Sequence, residues 1–536
     1  MARLPNWARL PRYSRGPTRG LGHEAVPEAE RQIAYEHRDE HLQPGASSRV
    51  QDAVADGTIE DVPPTEEELA RMDAALDGIV LGSMTRIGPG YLLLALVLGF
   101  GTLSLFGAWL YQIFEGIGVA GINRPVFWGF YITSFVFWIG VSHSGTLISA
   151  ILRVLNVEWR RPLTRGAEAM TLFSLMVGAL FPLIHLGRVW KFYFMIPYPN
   201  VRELWPNFHS ALVWDLVAIL TYMTSSALFL FMPMIPDMAT ARDRTTGIRR
   251  RIYGVLALGW RGSQQQWHRL HLAMKVYTIV IIPVAVSVHS IVSWDFAMTT
   301  NEGWHSTIFA PYFVIGAIYS GVAALITVLI FVRRGLGLQN YITKFHFDRL
   351  GLILLAVSVI WFYMFFAQTL TNWYGGNPVD RELEHLHIFG AMAPLWWFMV
   401  VVNVLLPFFT LWFKRVRRSL PTMLVITLLI NMGMWIERFL IVVGSNVRNH
   451  LPFDWGDYTP ALPEIIIAAA TFAMFAFLYV ALSKALPFVS LWEVKEGWRL
   501  DKWRTQGIVE EETEPVEEPQ GVSPPPSENR PGEVLA

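Results

Sequence analysis

APYFVIGAIYSGVAALITVLIFVRR (310–334) holds twenty-three consecutive residues without a charge and then two arginines. At 1.5 Å per residue an α-helix over 310–332 is about 34 Å long, enough to cross the ~30 Å hydrocarbon layer of a bilayer. The run is continuously apolar rather than alternating, which suits a helix and not the strand of a transmembrane barrel. Nine further stretches read the same way. With this one they place spans near 91–113, 126–151, 167–187, 208–233, 270–293, 310–332, 350–370, 389–413, 421–445 and 463–485. The expected fold is therefore all-α and polytopic, with about ten transmembrane helices. Composition agrees: 16% of the residues are charged and 53% hydrophobic, against roughly 25% charged in a soluble domain. The 22 Trp and 17 Tyr suit side chains that gather where a membrane meets water.

The arginines that close the opening stretch set the orientation. The loops after spans two, four, six and eight carry about 18 Lys and Arg, from Arg153 to Arg418, and the five opposite loops carry about six. Positive charge is retained on the cytoplasmic side, so both termini are expected there. No apolar run follows Arg3, Arg9, Arg12 and Arg15, so the start does not read as a secretory signal. Residues 1–64 read as a polar, partly disordered tail. Residues 65–89 read as an interfacial amphipathic helix and lead-in, with capping-box spacing between Thr65 and Glu68 and apolar positions Leu69, Met72, Leu76 and Ile79. Residues 90–487 are the membrane domain, and 488–536 an amphipathic and then acidic, Pro-rich tail.

Net charge is zero, so bulk charge points to no nucleic-acid partner. Cysteine is absent, which excludes disulfides, thiolate catalysis, cysteine-ligated iron–sulfur clusters and covalently attached haem. No embedded histidine pair has the spacing of a haem-binding helix, and no phosphate-binding loop is found between the spans. Neither haem, iron–sulfur cluster nor metal is expected in this chain. Any electron carrier then belongs to another subunit.

Ionisable groups inside a bilayer are costly, so each is a candidate for function. Adjacent spans run antiparallel, so residues late on one share a depth with residues early on the next. An outer layer results: Tyr131 on span two, His185 and Arg188 at the end of span three, His209 and Asp215 on span four, His289 and Asp295 on span five. Imidazoles beside carboxylates accept protons from a hydroxyl at neutral pH, which suits a two-proton substrate such as quinol. An inner layer holds His143 and Glu168, expected to lie towards the cytoplasm and to face each other, either as a proton path from the cytoplasm or as a satisfied polar pair. The small residues around His143 permit close helix approach. Glu437 and Arg438 on span nine form a polar knot or a second proton route. They project about 100° apart and need not pair, so Gln368, Asn372 and Tyr374 are candidate partners.

GVSHSGTLISA (140–150), AEAMTLF (167–173), FPLIHLGRVW (181–190), LWPNFHSALVWD (204–215), WRGSQQQWHRLH (260–271), SVHSIVSWDFA (287–297) and NMGMWIERF (431–439) give the chain a family likeness. At these segments it resembles the NrfD/PsrC-like quinone-interacting membrane subunits, most closely the larger ten-helix members of alternative complex III. The resemblance implies two four-helix bundles, spans two to five and six to nine. It implies quinol or menaquinol bound near the periplasmic face and electrons passed to a periplasmic iron–sulfur subunit. Multihaem c-type cytochrome subunits and a second NrfD-like membrane subunit belong to such a complex, in a bacterial cytoplasmic membrane. On the matching positions it places quinol binding and proton release at His185, Arg188, Asp215, His289 and Asp295, and a proton path at His143 and Glu168. Tyr131 stands where some relatives carry an acid, which leaves its hydroxyl a role in binding rather than in accepting a proton. The expected activity is that of one subunit of a quinol:cytochrome c-type oxidoreductase, inactive alone. Two other readings compete: the membrane anchor of a molybdenum-type polysulfide reductase, and a secondary transporter without a quinone site.

Overall fold

The computed structural model describes residues 65–196, 211–301, 303–448 and 451–505, and every extended element among them is a helix. The tails 1–64 and 506–536, and with them most of both expected tail segments, lie outside the described residues, as does His209. A chain in hydrocarbon must satisfy each backbone N–H and C=O within itself, and long apolar helices do so residue by residue. Ten helices here have the length and composition to cross a membrane. They are α2 (Pro89–Glu115), α3 (Phe130–Val154), α4 (Thr164–His185), α5 (Leu212–Arg244), α7 (Gln264–Ala297), α8 (Phe309–Gly335), α9 (Lys344–Gly375), α11 (Ala393–Thr410), α12 (Leu420–Val447) and α13 (Leu462–Ala485). The spans read from sequence coincide with them, and the structure lengthens the fourth and fifth: α5 continues through the Pro233 and Pro236 turns to Arg244, and α7 runs on to Ala297.

Among the described residues, four helices of ten residues or more lie outside the spans. Helix α1 (Glu66–Thr85) opens on the expected capping box, with Glu68 N–H donating to Thr65 Oγ1 at 3.2 Å and Thr65 N–H to Glu68 Oε2 at 2.6 Å. Helix α6 (Gly247–Leu256) links α5 and α7, α10 (Pro378–Ile388) links α9 and α11, and α14 (Leu491–Thr505) follows the last span. The partner of α1 is the chain itself: Asp73 pairs with Arg499 at 2.6 Å, and Asp77 with Lys495 at 2.7 Å and Arg244 at 2.6 Å.

Helices α3, α4, α5 and α7 pack around one another, as do α8, α9, α11 and α12. The two bundles join where α3 meets α8 and α12, while α2 and α13 pair and lean on α3 and α4. Helix α3 is buried along almost its whole length, whereas α2 is nearly all exposed, a face suited to lipid. Close approach inside the bundle depends on missing side chains, as the small residues around His143 led one to expect. A Cβ on Gly145 would lie 2.1 Å from the Ala167 carbonyl of α4, and one on Gly321 of α8 would lie 1.8 Å from Ser144 Oγ.

Loops alternate between two ends, and the arginine-rich ones share an end closed by ion pairs. Glu493 of α14 is buried against Arg153 at 2.7 Å and Arg160 at 3.3 Å, and Arg165 meets Asp237 at 2.7 Å. Burial works against ionisation of Glu493, yet Arg153 and Arg160 outweigh it and hold its carboxyl at about 2. Asp237 also accepts the N–H groups of Leu491 and Trp492, which caps the start of α14.

Candidate functional site

At the end away from the arginine-rich loops, Asp215 near the start of α5 and Asp295 near the end of α7 come together because those helices are antiparallel neighbours. Both are buried, and their carboxyls lie beside each other. Trp214 and Trp294 flank the pair with ring centroids 6.3 Å apart, and one oxygen of each acid has no partner. His185, half-buried at the end of α4, has an unpartnered Nδ1, and Arg188 beyond it is exposed.

Tyr131 is buried, and its hydroxyl donates to Gln112 Oε1 at 2.5 Å; Gln112 in turn donates to the Ile184 carbonyl at 2.8 Å. The tyrosine thus ties α2 and α3 to the residue before His185 and does not present a free hydroxyl.

The two-layer expectation needs correcting. His143 and His289, assigned to opposite layers, touch: their ring centroids are 4.5 Å apart. Because α7 continues to Ala297, His289 sits eight residues below its end, about 12 Å down, and reaches the middle of α3. Tyr222 of α5, which sequence reasoning passed over, also stacks on His143, with ring centroids 4.7 Å apart. His143 Nδ1 lies 2.6 Å from the Ile139 carbonyl, while its Nε2 and both nitrogens of His289 have no side-chain partner.

Nor does Glu168 face His143. It accepts from Ser149 Oγ at 2.7 Å and lies 3.9 Å from Arg153, at the arginine-rich end.

In the second bundle Glu437 and Arg438 do pair, Nη1 to Oε2 at 2.9 Å, because two long side chains close the angle their helix opens. Tyr312 of α8 donates to Glu437, and the Arg438 guanidinium lies 4.5 Å over the Phe313 ring, which neighbours His289. Of the expected partners, Gln368 accepts from Ser306 at 2.5 Å, Asn372 donates to Glu384 at 3.4 Å, and Tyr374 is exposed. Gln368, Asn372, Glu384, His387, Tyr312 and Glu437 all line a cavity of about 60 Å³, room for one or two water molecules. Burial pushes the Glu384 carboxyl up to about 7, and His387 down to about 4. No group of three or more His, Asp or Glu able to hold a metal ion occurs among the described residues.

The site residues that sequence reasoning missed, Gln112, Tyr222, Tyr312 and Glu384, left little signal. Each is one polar residue in an apolar run or short loop, and its importance comes from a partner on another helix.

Residues 118–449 match the family model described as "Polysulphide reductase, NrfD". Over 257 residues the chain is 28% identical to a protein of Halobacterium salinarum provisionally named as a dimethyl sulfoxide reductase membrane subunit, covering 48% of this chain and 54% of that one. The chain thus spans about half the length of that relative. A selenate reductase subunit of Mesobacillus selenatarsenatis is 26% identical over 360 residues, 65% of this chain and 80% of its own. The Hdr-like menaquinol oxidoreductase integral membrane subunit of Archaeoglobus fulgidus is 20% identical over 369 residues, 67% and 81% respectively.

Proposed function

This chain belongs to the NrfD polysulphide reductase family of multi-pass membrane proteins, and from that premise we propose that it is the quinone-handling membrane subunit of an oxidoreductase complex. Quinol oxidation to quinone releases two electrons and two protons. Electrons leave for an iron–sulfur partner subunit, since this chain carries no cysteine to ligate a cluster. Protons are taken by the Asp215–Asp295 pair and the neighbouring histidines. The observation that carries this reading is the pair itself, two buried neighbouring acids each keeping an unpartnered oxygen, in a bundle where His185 Nδ1, His143 Nε2 and both nitrogens of His289 have no side-chain partner. A hydroxyl delivered there meets an acceptor, and the buried surroundings favour transfer over solvation.

His185 and Arg188 stand at the mouth and orient the ring oxygens. His289 and His143 carry protons inward from the pair, and Glu168 is the group nearest the arginine-rich end. Glu437 and Arg438, each engaged by the other, act as a structural knot rather than as carriers.

The names of the relatives weigh towards a molybdenum-type reductase complex, in which the subunit feeds electrons from menaquinol to a reductase. Alternative complex III is the second reading, favoured by the count of ten apolar spans among the described residues. The proteins that purify with the chain discriminate: a molybdopterin protein supports the first, multihaem cytochromes the second. Quinone handling itself is tested in the assembled complex by saturable binding of a quinol analogue. Binding that survives His185→Ala and Asp215→Asn unaltered removes the site from this bundle.

A further inference from the structure

Helix α6 presents a face that nothing among the described residues covers. Ile248, Ile252 and Val255 are 75%, 50% and 73% exposed, at spacings that put them on one stripe. Leu258, 66% exposed, extends it. The opposite side is fixed to the protein: Tyr253 is buried and donates to the Ala485 carbonyl at 2.9 Å, and Arg249 donates to the Met84 carbonyl at 3.2 Å. The stripe therefore points outward by construction.

Charge on this segment divides into two kinds. Arg242 is taken by Asp243 and Arg244 by Asp77. The guanidiniums of Arg251 and Arg261 have no carboxylate partner among the described residues, and Arg251 borders the apolar stripe. The helix also joins α5 to α7 at their arginine-rich ends, where the boundary of the hydrocarbon layer is expected. An aliphatic stripe edged by unpaired guanidiniums at that depth fits one surface, acyl chains beneath a layer of phosphates.

We propose that α6 is an interfacial anchor that docks on an anionic phospholipid surface, with Ile248, Ile252 and Val255 against the acyl chains and Arg251 and Arg261 on lipid phosphates. The inference is independent of quinone handling.

The natural chain has no cysteine, so one nitroxide can be attached at Val255→Cys or at Arg250→Cys without background. The full chain with its co-purifying partners is placed in vesicles of mixed phosphatidylcholine and phosphatidylglycerol. The label at 255 should be relaxed by oxygen dissolved in the acyl layer and shielded from an aqueous nickel chelate, and the label at 250 should show the reverse. In a titration with phosphatidylglycerol followed by native mass spectrometry, Arg251→Gln/Arg261→Gln should weaken retention about tenfold while phosphatidylcholine is unaffected. Nickel reaching 255 as freely as 250 overturns the proposal, because the stripe is then in water. Shielding from both reagents overturns it in favour of a protein partner, and an unchanged phosphatidylglycerol titration overturns its anionic half.

Discussion

The acid pair of the first bundle and the acid–arginine pair of the second place buried carboxyls in different company. In the first, His143, His289, His185, Asp215 and Asp295 retain nitrogens or oxygens without a side-chain partner. In the second, Glu437 meets Arg438 and Tyr312, Asp348 meets Arg417 at 2.7 Å, and Gln368 accepts from Ser306. A paired buried group contributes little net stability but is costly to disrupt, whereas an unpaired one is kept at a standing cost. On the function proposed above, the acid pair of the first bundle receives protons, whereas the acid–arginine pair of the second, with Tyr312, ties α8 to α12.

The sharpest way to break that contrast is Asp215→Asn in the assembled complex. Turnover with quinol should fall by about a hundredfold or more, the usual worth of a positioned proton acceptor, while thermal unfolding is little changed. Near-normal turnover would mean that the acid pair is only structural. Glu437→Gln should do the opposite. It strands the Arg438 guanidinium in the interior and should destabilise the protein by about 3–5 kcal/mol, with surviving complexes still turning over. The double change Glu437→Gln/Arg438→Met should recover part of that loss; loss of turnover with an unchanged melting temperature would make the second bundle a proton route.

A pH scan sharpens the comparison at the edge of the second bundle. Burial raises the Glu384 carboxyl from 4.5 to about 7, and the folded state therefore binds its proton more tightly than the unfolded chain. That contribution is fully present below about pH 4.5, is lost as pH rises through about 7, and amounts to about 3 kcal/mol. Melting temperatures between about pH 5 and pH 8 should fall less steeply for Glu384→Gln than for the natural protein. Parallel curves would show that the cavity hydrates this acid in the folded state. The smallest effect is expected of Tyr131→Phe. It removes one hydrogen bond to Gln112 and should cost about 1 kcal/mol in unfolding, with quinol turnover kept within about twofold. A large rise in KM would instead return this hydroxyl to the quinol site.

Much of the fold was legible because hydrophobic length is a local property. The ten spans follow from apolar runs, the common level of Asp215 and Asp295 from antiparallel neighbours sharing a depth, and the capping box at Thr65 and Glu68 from their three-residue spacing. The same rule misplaced His289, because it measured depth from the end of the apolar run at 293 and the helix continues to Ala297. It also paired Glu168 with His143, where Ser149 and Arg153 take the carboxylate.

By itself the sequence determined that this chain crosses a membrane about ten times, which end of each span carries the arginines, and that no cysteine-bound redox centre resides in it. Those follow from composition read over twenty residues at a time, the scale on which lipid selects helices. Only the tertiary structure decided which polar groups stand alone: Tyr312 closing on Glu437, Tyr222 stacking on His143, Glu493 reaching back more than three hundred residues to Arg153. Pairing is a matter of a few ångströms between distant helices, and nothing in a linear spacing encodes the rotation that brings one side chain against another.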